Sequence, residues 1–166
     1  MGNQQERSLE YVAGITDGEG SLSIMWGKPQ AASFYVLPVI QIQMNHKETI
    51  LEVASILKKH DIGHYLYWNQ KRGVLQLAVK RYKRCRSFLD AVGPWLLTKQ
   101  EQAEIVSEFI DSRLSRGRGA SPTPHEIGLI ERLQGINSHQ TLKRKPLSGL
   151  MKIALEKSSE TIRSAD

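Results

Sequence analysis

Cysteine is almost missing from this sequence: Cys85 stands alone among 166 residues. No disulfide can close within the chain, and a reducing compartment is expected. A nucleophilic thiol would need a partnered histidine; in Arg81-Tyr82-Lys83-Arg84-Cys85-Arg86-Ser87-Phe88 the cysteine reads as structural. Long apolar runs are missing too. Nothing approaches the roughly 18 residues of a membrane span, and the stretch Met1–Glu10 lacks the apolar core of a secretion signal. The chain is therefore expected inside a cell, in bacterial or archaeal cytoplasm or in an organelle, with no membrane partner. Apolar residues make up 40% of it, enough for one core and too few for two, so residues 1–166 read as one domain.

Acidic residues are scarce in particular places. The overall balance of 23 Lys and Arg against 17 Asp and Glu gives a net charge of +6, which is weak support for a polyanionic partner. More telling, no acid stands between Glu19 and Glu48, or between Asp61 and Asp90, and the second window holds Lys71, Arg72, Lys80, Arg81, Lys83, Arg84 and Arg86. Both windows read as strand pairs: Ser21–Lys28 with Ser33–Met44, and His64–Gln70 with Val74–Lys80. In the clearest stretch Gln41 and Gln43 alternate with Ile40, Ile42 and Met44, so one face packs on a core and the other shows polar side chains. A solvated outer face would mix acids with bases; this one offers groups that bond base edges and phosphates. The candidate contacts are Ser23, Met25, Lys28, Gln30, Ser33, Tyr35, Gln41, Gln43, Tyr67, Asn69, Lys71, Arg72, Gln76 and Lys80. Lys143 and Arg144, in the basic loop Leu142–Pro146, join them.

Helical spacing of apolar residues appears over Lys47–Lys59 and Tyr82–Val92. With a helix before the first strand, the order is α-β-β-α-β-β-α, an α+β core over about 8–115. A helix over Lys99–Leu114, one capped by Thr123 and Pro124 and running through Gln134, and one over about Leu147–Ile162 are expected beyond it. His60 and His64 are four apart, but Gly63 interrupts any helix that could make them a metal pair.

Directly before the first strand stands Tyr11-Val12-Ala13-Gly14-Ile15-Thr16-Asp17-Gly18-Glu19-Gly20. On a helix over Leu9–Gly18, Gly14 and Gly18 share a face with Ala13 beside them, so a second helix can approach closely. Gly20, free to take a left-handed conformation, would end that helix and leave Glu19 at its negative pole. Two such carboxylates brought together would repel unless a cation lay between them.

This string resembles the LAGLIDADG motif in its variant ending Asp-Gly-Glu-Gly, and the element order is similar to the core of the LAGLIDADG homing endonucleases. A second match follows the second strand pair: Lys99-Gln100-Glu101-Gln102-Ala103, after Pro94-Trp95-Leu96-Leu97-Thr98, resembles the segment that opens a helix in the single-motif subgroup. The resemblance implies an antiparallel saddle-shaped sheet with additional C-terminal helices. It implies a homodimer joined through the motif helix at Leu9, Val12, Ala13, Gly14 and Asp17. It also implies metal held by Glu19 and Gly18, Lys99 beside the scissile phosphate, and a water-positioning group at His46 or, next in order, Gln43. A basic residue expected a few positions later is replaced by Ile50. The activity implied is a Mg²⁺-dependent double-strand cut in a long pseudo-palindromic DNA site of about two turns, serving the mobility of a host intron. Mn²⁺ should substitute, and Ca²⁺ should support binding without cutting. An RNA-binding intron maturase of the same fold is the alternative.

Overall fold

In the computed structural model, which describes residues 8–27, 35–117 and 120–138, helix α1 (Leu9–Glu19) runs without a loop into strand β1 (Gly20–Gly27). Strand β2 (Tyr35–Met44), helix α2 (Lys47–Lys59), strands β3 (Tyr65–Asn69) and β4 (Val74–Lys80) and helix α3 (Tyr82–Val92) follow. A 3-10 turn at Gly93–Trp95 leads to α4 (Gln100–Arg116) and α5 (Pro124–Asn137). The four strands form one antiparallel sheet in the order β1-β2-β4-β3, so the expected α+β architecture and element order are both present.

Alternation along the strands sorts their residues. Leu22, Ile24, Val36, Ile40, Ile42, Leu77 and Val79 join one apolar cluster with side chains from the helices, including Val12, Ile50, Leu57, Phe88, Phe109, Ile130 and Leu133. The helices thereby cover one face of the sheet. Phe109 is wholly buried, and Phe109→Ala would cost about 3–5 kcal/mol. Cys85 lies in the same cluster, its thiol directed at the carbonyls of Pro38 and Val79. Burial pushes its pKa up to about 12, the state of an inert structural thiol.

Local chemistry explains the helix ends. Glu48 stands in the first turn of α2 and Lys58 and Lys59 in its last, each matched to the dipole. Thr123 and Glu126 form a capping box with Pro124 in the first turn of α5, and Asn137 Nδ2 pins the far end of α5 to the Leu22 carbonyl at 2.9 Å. The expected helix over 147–162, the loop with Lys143 and Arg144, and Lys28, Gln30 and Ser33 lie outside the described residues.

Candidate active site and nucleic-acid interface

Cross-strand partners share a face, and the ladder therefore fixes the outer surface row by row. One row runs Ser21, Gln41, Ala78, Tyr65, and the next Gln43, Gln76, Tyr67; Ser23, Val39 and Lys80 form a third. Met25 and Tyr35 extend this face at one end and Asn69 at the other, and none of the described residues on it is acidic. All the described candidate strand contacts thus fall on the side away from the helices. Lys71 and Arg72 occupy the exposed β3–β4 turn, where the Arg72 and Gly73 amides bond the Asn69 carbonyl and Gly73 has φ 64°, a conformation glycine takes freely.

The face is internally organised. The Gln41 amide donates to the Tyr67 hydroxyl at 3.2 Å, reaching across the small Ala78. Lys80 Nζ stands 5.5 Å from the Tyr67 ring centre, and the Arg84 guanidinium 5.0 Å from that of Tyr65. Ser21, Tyr65 and Arg84 were not among the expected contacts. Period-two alternation from Tyr67 and Ser23 would have found the first two; Arg84, on a helix, gave no such signal.

Glu19 is the last residue of α1 and is exposed. Gly20 closes the helix differently from expectation: its φ of −82° and ψ of 159° are extended, open to any residue. Glycine is needed for space, because a Cβ there would lie 2.5 Å from the Thr16 carbonyl oxygen and 2.9 Å from its Cα. Thr16, wholly buried, turns its hydroxyl back to the Val12 carbonyl at 2.7 Å. Since Gly20 pairs with Ile42, the end of β2 that carries Gln43 lies alongside the end of α1 that carries Glu19.

Lys99 is only 9% exposed, unlike a solvated lysine at a helix start. It is the N-cap residue of α4, and its ammonium donates to the Asp17 carbonyl, two residues before Glu19. The Asp17 carboxylate in turn accepts from Leu97 N at 2.8 Å, Lys99 N at 3.0 Å, Thr98 Oγ1 at 3.0 Å and Thr98 N at 3.2 Å. Burial would raise the Asp17 pKa, but these donors outweigh it and hold the group below the ordinary carboxylate range. The fold thus brings the end of α1 and Lys99 together. His46 is engaged elsewhere, its Nδ1 accepting from Thr49 N at 3.3 Å as the N-cap of α2 and its Nε2 lying 3.6 Å from Glu48.

The interface expectation needs correction at two residues. Val12 and Ala13 are 0% exposed and point into the chain's own core, because 100° per residue puts them with Leu9 and Thr16 on the inner face of α1. Leu9 is half-buried against that core, and Asp17 directs its carboxylate at its own chain. The open face carries Glu10, Gly14 and Gly18; a Cβ built on either glycine would meet nothing within 4 Å.

Among the described residues no three His, Cys, Asp or Glu side chains cluster to hold a metal. One chain offers the Glu19 carboxylate and the Gly18 carbonyl oxygen at the end of α1, hard donors suited to Mg²⁺. Doubling that set about the open face of α1 would give a fuller shell. No helix among the described residues is long and apolar enough to cross a membrane.

No protein-family model and no curated protein matches the sequence. Solved structures do match the fold. The homing endonuclease I-CvuI, in complex with its target in the presence of Ca, superposes with a TM-score of 0.73 over 90% of this chain and 92% of its own, at 16% identity. The archaeal intron-encoded homing endonuclease I-Vdi141I, complexed with DNA, gives 0.68 over 89% and 94% at 18% identity. The LAGLIDADG homing endonuclease I-GzeII, in complex with its DNA target, gives 0.59 at 18% identity, with 84% of this chain matching 52% of that one. This chain has the fold of the LAGLIDADG homing endonucleases, the family that Tyr11–Gly20 and Lys99–Ala103 resemble in sequence.

Proposed function

We propose that the chain is one half of a homodimeric, Mg²⁺-dependent DNA endonuclease that makes a double-strand break in a long pseudo-palindromic site and so promotes the mobility of a host intron. The observation that carries this reading is a juxtaposition. A sheet face free of acids among the described residues, with aromatic, Gln and Lys side chains in register, is carried by strands the first of which begins at the residue after Glu19, and Lys99 is tethered to the same helix end. The solved structures of I-CvuI, I-Vdi141I and I-GzeII as DNA complexes support it. A chain that matches about half of I-GzeII is also what a two-chain enzyme would supply.

In this reading the outer face follows the major groove, with Gln41 and Gln43 at base edges and Lys71 and Arg72 at phosphates. Glu19 and the Gly18 carbonyl of each chain are the groups that would hold the metal. Bound Mg²⁺ supplies Lewis-acid polarisation of the phosphate and a more acidic water. Lys99 neutralises charge that builds on the phosphate oxygens. His46, through the ring nitrogen not used in capping α2, or Gln43, beside the end of α1, orients water. The test is cutting of a randomised DNA library in Mg²⁺ by wild type and Glu19→Gln. Wild type should cut a narrow set of sites, while Glu19→Gln should still bind those sites in Ca²⁺ and leave them intact in Mg²⁺. Near wild-type nicking by Glu19→Gln would remove the residue from the chemistry. Retention of RNA alone would favour the maturase reading.

A further inference from the structure

Asp17 lies in the last turn of α1, where the helix dipole disfavours a carboxylate. The disfavour is offset from outside the helix. Consecutive amides of Leu97, Thr98 and Lys99 converge on its two oxygens at 2.8, 3.2 and 3.0 Å, and Thr98 Oγ1 adds a donor at 3.0 Å. The Lys99 amide is that of the α4 N-cap, one of the donors a helix start leaves free, and the Leu97 and Thr98 amides belong to the turn that leads into it. The Lys99 ammonium runs the opposite way, donating to the Asp17 carbonyl at the negative end of α1. Carboxylate meets the positive end and ammonium the negative end, a reciprocal clasp between segments 80 or more residues apart.

We propose that Asp17 is a positioning residue that fixes the Lys99 ammonium beside the Glu19 end of α1. The inference deepens the endonuclease reading and rests on it. Lysine has a long stem with much rotamer freedom, and a charge that must meet a phosphate gains from being held before substrate arrives. Asp17→Asn keeps the size of the side chain but removes the charge and one acceptor oxygen, releasing the turn over Leu97–Lys99.

The experiment is a double-mutant cycle on the full-length protein with its DNA site: Asp17→Asn, Lys99→Gln and the pair, read by single-turnover cutting in Mg²⁺ and by binding in Ca²⁺. Asp17→Asn should slow cutting roughly a hundredfold and leave binding little changed, and in the Lys99→Gln background it should slow cutting no further. Thr98→Val, which deletes only the hydroxyl donor, should give a smaller loss that also vanishes in that background, and it serves if Asp17→Asn does not fold. Losses that multiply across the cycle, or an Asp17→Asn enzyme that cuts at the wild-type rate, would overturn the positioning role while the nuclease stands. Wild-type protein that cuts no DNA would overturn the nuclease reading and this inference with it.

Discussion

Gln41 is the residue whose chemistry changes most between sequence and fold. Alternation places it on the outer face, and there its amide is engaged with the Tyr67 hydroxyl, leaving the carbonyl oxygen and one N–H for an outside partner. Gln41→Ala and Tyr67→Phe should therefore alter discrimination at the same symmetric pair of base positions, each by about 1–3 kcal/mol. Combining them should add little to the larger single effect. Cleavage profiles over targets with every base singly substituted are the check; effects at different positions would separate the two residues. Lys71→Ala, in the exposed turn, should weaken all sites alike and flatten the salt dependence.

Among the elements, α4 and α5 are joined by a buried charge. Glu126 is 0% exposed and accepts from Ser112 Oγ at 2.7 Å, Thr123 N at 3.0 Å, Arg116 at 3.1 Å and Arg113 at 3.4 Å. Burial raises its pKa, and these partners more than reverse that, leaving it below the ordinary glutamate range. A folded pKa below the unfolded one contributes stability above the unfolded value, near 4.3 for glutamate, and loses it as pH falls through the folded value. Glu126→Gln leaves Arg113 and Arg116 only their carbonyl partners on Ala120 and Ser121 and, chiefly through the buried Arg113, should cost about 3–5 kcal/mol at pH 7. In urea unfolding that gap from wild type should narrow as the pH falls below the ordinary glutamate value and through the lower folded one; a constant gap would assign the loss to shape, not charge. While Glu126's return bond to it was not read, the cap that frames this carboxylate was legible in the sequence as Thr123 and Pro124, because caps are local. So were the element order and the outer face, which follow from periodicity. Its contacts with Ser112, Arg113 and Arg116 were not, nor was the bond between Asp17 and residues 97–99, because pairing across a fold leaves no spacing to read. The inner side of α1 was misassigned for a related reason: Val12 and Ala13 suit a close helix contact and a core equally, and only the sheet beneath decides.

For the whole molecule, the open face of α1 sets the expected assembly. With Gly14 and Gly18 bare of neighbours, a second copy can bring its backbone into contact there. Gly14→Leu should leave thermal stability of the single chain nearly unchanged, since nothing lies within 4 Å of its Cβ, yet it should shift sedimentation from dimer to monomer and abolish double-strand cutting. A wild-type protein that sediments as a monomer both free and on DNA would rule out the shared site. The junction between α1 and β1 then takes on a mechanical meaning. Glu19 and Gly20 are adjacent, so in the proposed nuclease the part that would grip the groove and the part that would cut are joined with no loop between them. On that reading a mismatched base that tilts the sheet would tilt the carboxylate with it, and the error would be registered as lost timing at the blade even where the grip on the DNA is unchanged.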